Sequence, residues 1–392
     1  MPRIVFVLAL FLFSFSTFSQ APLLSDQAEI SIITCGPDPN ELYSAFGHSA
    51  VRVNDPVNGI DYAFNYGVFD FDQPNFYLNF ARGRNYYMLA VYNYENFEWA
   101  YKRDGRFIHE QVLQLTASQR DKIYNFLLWN AQPENRTYRY DYYHDNCATR
   151  IRDILVEQLG DDLTVDSTFF EATHSFRQKT DEYLDPLPWG DLGIDICLGL
   201  PIDRTMYPSE YVFLPDYLES FVDHMQVKSD SGLVALVKEK RIGNPQTVVG
   251  WASLIHPWVG FCGLLALIVV ISFFDWRRKK LSRWFDVTLF SITGLIGILL
   301  FVLWLFTDHH DAARNFNLLW AFPLHFFAAI LLFSKRTKNL LSNYFLVCVV
   351  ILAGTLAFWW ALPQELNVYL IPVVIGLGIR CVVNWKLLPQ IH

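Results

Sequence analysis

Leu264-Leu265-Ala266-Leu267-Ile268-Val269-Val270-Ile271-Ser272-Phe273-Phe274 is an unbroken apolar stretch, and Arg277-Arg278-Lys279-Lys280 follows it almost at once. It belongs to a run, 250 to 274, that contains no Asp, Glu, Lys or Arg and is longer than the roughly 20 residues a helix needs to cross a bilayer. Runs 287 to 307, 315 to 334 and 344 to 363 are also free of charged residues. A fifth, 366 to 385, holds only Arg380, expected to snorkel to an interface. Residues 250–392 therefore read as an all-α polytopic membrane domain of five helices.

The loops orient the domain, because Lys and Arg collect in short loops on the cytoplasmic side. If residue 249 is outside, the first inside loop carries Arg277, Arg278, Lys279, Lys280 and Arg283, the next carries Lys335, Arg336 and Lys338, and the tail carries Lys386. The outside loops hold a single cation, Arg314. At the other end, the apolar segment after Arg3 closes on Ser14-Phe15-Ser16-Thr17-Phe18-Ser19-Gln20-Ala21, so residues 1–20 read as a secretory signal. Both signals place 21–249 on the translocated, outer side of a membrane and the C-terminus in the cytoplasm.

The whole chain is 52% hydrophobic, with mean hydropathy +0.19, too apolar for one ordinary soluble domain. Residues 1–249 carry net charge -14 and the remainder +6. An acidic outer domain excludes nucleic acid as its partner. Of three outer cysteines, a Cys35–Cys197 disulfide would leave Cys147 as the odd thiol.

Within 21–249 the pattern is α+β. Ile30 to Cys35, His48 to Val53, Tyr62 to Tyr66, Tyr87 to Tyr94 and Arg106 to Leu115 are β-rich, and turn residues 54 to 59 join two of them as a hairpin. Thr116 with Gln119 predicts a capping box, and a second helix is expected just after Asp145 or Asn146, with Ile151, Ile154, Leu155 and Leu159 on its buried face. Cys147 then lies in the first turn, where unpaired N–H groups and the helix dipole favour a thiolate. A nucleophilic cysteine also needs a base. His48, on a strand entered through Gly47, is the first candidate, and His144, three residues before Cys147, is its rival.

Four blocks, Leu42 to Val53, Phe64 to Phe71, Pro133 to Asp141 and Asp145 to Asp153, resemble the Bacteroidota family known by its Lnb N-terminal periplasmic domain. The resemblance covers nearly the whole chain. It implies a signal peptide, a permuted papain-like (NlpC/P60-like) α+β domain with His before Cys, and a helical membrane domain. The family includes lipoprotein N-acyltransferases. The implied reaction is transfer of a fatty acyl chain from a phospholipid, through a Cys147 thioester, to the α-amine of a diacylglyceryl-cysteine lipoprotein, with phospholipid donor, lipoprotein acceptor and membrane as partners and no cofactor.

The neighbouring residues have plainer readings beside catalytic ones. Asp145 and Asn146 suit helix capping, and Asn146 alternatively donates to an oxyanion. Arg150 and Asp153 are spaced to pair. Asp61 and Asn65 share one face of the strand after His48, and alternation does not decide which of them orients the imidazole. His48, His144 and Cys147 lack paired-ligand spacing, so no metal is expected. In the outer loop Asp308-His309-His310-Asp311-Ala312-Ala313-Arg314-Asn315-Phe316-Asn317, residues His309, His310, Arg314, Asn315 and Asn317 are candidates for binding a lipid head group, against simple solvation at the interface. Two other readings remain. A cell-wall cysteine amidase or peptidase would use the same pair without needing the membrane bundle, and a non-catalytic membrane scaffold would leave Cys147 unexplained.

Overall fold

A computed structural model describes residues 23–166, 171–250 and 255–390. The expected signal segment 1–20 lies outside the described residues. The strands are β1 (Glu29–Cys35), β2 (His48–Asp55), β3 (Ile60–Val68), β4 (Tyr86–Asn93), β5 (Ile108–Leu113), β6 (Thr137–Arg139), β7 (Leu163–Val165), β8 (Met225–Ser229), β9 (Gly232–Ala235) and β10 (Val237–Ile242). The helices of the first part are α1 (Phe76–Ala81), α2 (Tyr94–Arg103), α3 (Ala117–Asn130), α4 (Cys147–Leu159), α5 (Phe176–Leu184), α6 (Pro188–Cys197) and α7 (Pro215–Asp223). Those of the second are α8 (Pro257–Arg278), α9 (Arg283–Phe306), α10 (Leu324–Leu331), α11 (Lys338–Ala357) and α12 (Ile371–Leu387).

Seven strands form one antiparallel sheet in the order β10-β5-β1-β2-β3-β4-β6. Alternation divides its side chains between two cores. Ile30, Ile32, Val51, Val53 and Phe64 pack with Ile123 and Leu127 of α3, Ile151, Ile154 and Leu155 of α4, and Leu218 of α7. On the opposite face Ile33, Cys35, Ala50 and Ala63 pack with Tyr94 and Phe97 of α2. The Thr116–Gln119 capping box forms as expected, and α4 begins at Cys147 with Asn146 as its cap. This is the expected mixed α/β architecture, extended by a three-stranded sheet, β7-β8-β9.

Four helices among the described residues are long and apolar enough to cross a membrane: Pro257–Arg278, Arg283–Phe306, Lys335–Ala357 and Val368–Gln390. The third of the five expected spans, 315 to 334, is different. It folds as a 3-10 turn over Phe316–Leu319 and then the eight-residue α10. At 1.5 Å per residue α10 is about 12 Å long, far short of the roughly 30 Å hydrocarbon core. Counting charges alone overlooks Asn315, Asn317 and Pro323, which break the helix. The run still descends against α9: Cβ atoms at Gly294 and Gly297 would collide with Phe326 and Ala321, so these glycines admit the close approach. Gly376 of α12 meets Ile268 of α8, and Arg380 meets Ser272 and Asp275 one turn further on, so the two helices run parallel. The chain's last helix therefore ends at the side of the bundle remote from the sheet domain.

Arg380 does not snorkel. It is fully buried, bonding Asp286 at 2.8 Å, Asp275 at 2.9 Å and Ser272 at 3.1 Å, and so ties α12 to α8 and α9. A buried guanidinium is retained in hydrocarbon only with such partners.

Candidate active site

His48 is the first residue of β2, at the end of the sheet toward which the first turn of α4 also points. Gly47 precedes it at φ +77°, and a Cβ there would lie 2.7 Å from the Cys35 carbonyl oxygen, so the entry to β2 is built for glycine. The imidazole stacks on Tyr101 of α2 with ring centroids 6.5 Å apart. Its Nε2 is hydrogen-bonded to the Asn65 side-chain oxygen, and the Cys147 thiol lies next to the ring. Asp61, the other orienting candidate, lies on the same strand but is taken by Arg52, in two bonds of 2.8 and 2.9 Å.

The electrostatics of the pair follow from this geometry. Burial pushes the Cys147 thiol up, but the adjacent His48 charge and the N–H groups of Ser49 and Ala148 at the sulfur outweigh it, so its pKa falls below the ordinary value. For His48, burial favours the neutral ring, and the facing Cys147 thiolate with the Asn65 bond favours the imidazolium, which prevails. Cys35, paired across the ladder with His48, behaves oppositely: burial drives its thiol up to about 12. Cys35 and Cys197 are both free and not joined to each other: Cys35 lies inside the sheet, whereas Cys197 ends α6 against the loop at Asn315.

Cys147 and His48 line a cavity of about 290 Å³ with Phe69, Tyr87, Tyr140 and Asn146. Other expected residues have structural duties. Asn146 accepts from the N–H groups of Ala148 at 2.9 Å and Thr149 at 3.0 Å, and its amide donates to the carbonyls of Tyr142 and Phe213 at 2.8 Å each. No amide hydrogen is left for an oxyanion. Asp145 binds Arg150, which lies over the Tyr138 ring, and Asp153 binds Arg152 instead. His144 is exposed, packs edge-on against Phe176 and does not line the cavity. The structure thus brings together His48, Asn65 and Cys147 and sets His144 apart from them. The aromatic wall of Phe69, Tyr87 and Tyr140 was missed; three aromatics within or beside strands read from sequence only as sheet packing.

The outer loop meets the sheet domain directly. Asp308 pairs with Arg84 at 3.0 Å and Arg139 at 3.1 Å, and His309 donates to the Phe80 carbonyl at 3.1 Å. Asn315 and Asn317 are buried, and their amides hold the carbonyls of Asp195, Ile196 and Cys197 at the end of α6. Of the five loop residues expected at lipid, these two are turned inward, and Arg314 and His310 are exposed.

Two family models match this chain: the Lnb N-terminal periplasmic domain over residues 15–180, and the Lnb transmembrane domain over 250–390. The chain belongs to the Lnb family. Its membrane-associated, lipoprotein-processing character accords with a periplasmic sheet domain carried on a helical bundle, the order seen here. No curated protein and no solved structure matches the chain. Within this Lnb chain, the first matched domain includes His48, Asn65 and Cys147, and the second includes the whole loop from Asp308 to Asn317.

Proposed function

We propose that this Lnb protein is a lipoprotein N-acyltransferase of the inner membrane, its sheet domain periplasmic and its C-terminus cytoplasmic. The observation that carries the reading is the pairing of Cys147 with His48 at the start of α4, in an aromatic-walled cavity beside the loop that follows a membrane span. A scaffold has no use for a thiol whose pKa is depressed by a facing imidazole.

The thiolate of Cys147 attacks the carbonyl carbon of a phospholipid ester, forming a C–S bond. The oxyanion meets the Cys147 N–H, which has no hydrogen-bond partner among the described residues, while the next two N–H groups are held by Asn146. Collapse breaks the C–O bond, and the His48 imidazolium protonates the departing alkoxide, releasing a lysophospholipid. The free α-amine of a diacylglyceryl-cysteine then attacks the thioester. His48, now neutral, takes the amine proton, the C–S bond breaks, and the thiolate–imidazolium pair is restored with a triacylated product. Asn65 positions the imidazole through Nε2 and leaves Nδ1 for the proton. Water competes with the amine, so the aromatic wall that keeps the thioester dry favours transfer over hydrolysis.

Purified full-length protein mixed with phospholipid is expected to gain one acyl group at Cys147, seen as a mass shift on the peptide that contains it. The adduct decays when a diacylated lipopeptide is added, and Cys147→Ser forms no thioester. Discharge to free fatty acid with the lipopeptide untouched would instead identify a hydrolase.

A further inference from the structure

The segment between β3 and β4 ends in α1, six residues long, and none of its side chains is buried. Tyr77 is 76% exposed and Phe80 53%, with Phe71 and Leu78 open beside them. In water such a patch is costly, and nothing in the sheet domain covers it. Its position supplies the reason. The Asp308 N–H donates to the Arg82 carbonyl at 2.8 Å, His309 donates to that of Phe80, and Arg84 pairs with Asp308. Gly83, at φ +73°, approaches the loop so closely that a Cβ would lie 2.8 Å from the backbone of Asp308 and His309. Because the membrane span α9 ends at Phe306, α1 is clamped at the level where that span leaves the bilayer.

The patch is also continuous with the catalytic cavity. Ring centroids step from Tyr140 to Tyr87 (4.3 Å), Phe69 (5.2 Å), Phe71 (4.9 Å), Phe76 (5.0 Å) and then Tyr77 (5.3 Å). Tyr140, Tyr87 and Phe69 line the cavity that holds Cys147, and Tyr77 is at the open end of the row. Arg82, which caps α1, is exposed and forms no ion pair among the described residues, whereas its neighbour Arg84 is engaged. An unpaired guanidinium beside an aromatic face at a membrane interface suits a lipid phosphate.

We propose that α1 and the aromatic row behind it are the route by which a phospholipid of the adjoining leaflet delivers an acyl ester to Cys147, with Arg82 on its phosphate. This rests on the acyltransferase reading, and it specifies where the donor enters. Tyr77 and Phe80 lie among the acyl chains, Arg82 at the head groups, and the ester carbonyl passes along Phe71 and Phe69 into the cavity.

The test uses the full chain in vesicles of phosphatidylethanolamine and phosphatidylglycerol. A photo-crosslinking benzoylphenylalanine replaces Tyr77 or Phe80, with Phe306 at the end of α9 as the membrane-positive position and Leu233, exposed on β9, as the negative one. Positions 77, 80 and 306 are expected to gain the mass of a phospholipid, and 233 not to. The pair Tyr77→Ser and Phe80→Ser together is expected to slow acylation of Cys147 by vesicle phospholipid about tenfold, whereas Leu233→Ser leaves it unchanged. Lipid at 306 without lipid at 77 and 80, in protein that still acylates Cys147, would overturn the route and leave the enzyme reading standing. Lipid at 77 and 80 with no acyl group ever reaching Cys147 would support the contact and overturn the enzyme reading. Crosslinks at 77 and 80 to a co-purified protein in place of lipid would overturn the route.

Discussion

At the scale of single residues, the site depends on one charge pair and one hydrogen bond that holds it. The thiolate of Cys147 grows in as pH rises through its depressed pKa, and its imidazolium partner is lost only as pH passes the raised pKa of His48. The reactive pair therefore exists between those two limits. Alkylation of Cys147 by iodoacetamide is expected to begin at a pH below that of an ordinary cysteine. In His48→Ala the opposite charge is gone and burial remains, so the midpoint moves upward and the rate near neutral pH drops about tenfold for each unit of displacement. An unchanged midpoint would show that His48 does not set the thiol's charge. Cys35, with its thiol up to about 12, stays silent and does not confuse the reading. Cys147 and His48 were legible in sequence because helix capping and strand patterning each place one of them. The choice between Asp61 and Asn65 was not, since both share a face and only the Arg52 side chain, reaching diagonally across the β2–β3 ladder to Asp61, takes that carboxylate and leaves Asn65 to His48.

At the scale of elements, the α+β pattern and the starts of α3 and α4 were readable because caps and periodicity are local. The broken third pass was not, because it depends on partners distant in sequence. Asn317 donates to the Asp195 carbonyl at 2.9 Å and accepts from the Trp320 indole at 2.8 Å, while the Phe316 N–H finds Gln364 at 2.6 Å. Irregular backbone survives at membrane depth only when protein groups satisfy it in this way. Asn317→Leu keeps the branched shape and removes the two side-chain bonds of Asn317, leaving a buried indole N–H and a backbone carbonyl without partners. It is expected to cost about 1–3 kcal/mol, seen as a lower midpoint in thermal unfolding in detergent. An exposed residue in that loop, as in Arg314→Leu, is expected to leave the midpoint nearly unchanged. Equal midpoints for the two variants would mean that the asparagine does not hold the break.

At the scale of the whole molecule, the compositional shift at 249 and the physical boundary do not coincide. Helix α6 is earlier in sequence, yet its Leu192 belongs to the core of the membrane bundle and Ile196 packs against that core. Asn367 bonds Asp191 at 3.0 Å and Asp195 at 2.9 Å, Gln364 holds the Leu198 carbonyl, and the Gly199 N–H donates to Asp311 at 2.7 Å. A Cβ at Gly199 would overlap the Ala313 carbonyl, so the two parts meet without a gap. A hydropathy boundary cannot reveal this, because α6 is only ten residues long and is interrupted by Asp191 and Asp195. The consequence is testable with residues 21–249 produced alone. Cutting there uncovers Leu192 and Ile196 and takes Asn367 from two partly or wholly buried carboxylates, a loss of both apolar cover and hydrogen bonds. The isolated domain is expected to aggregate, and in size-exclusion chromatography to run in the void volume, although its sheet and the Cys147–His48 pair lie wholly within it. Leu192→Ser with Ile196→Ser is expected to return it to a monomer by removing the exposed apolar face, whereas in the full chain the same pair lowers the unfolding temperature by emptying a filled core. A truncated domain that is monomeric without those changes would show that α6 does not depend on the bundle, and that the sheet domain is an independent body merely tethered to the membrane.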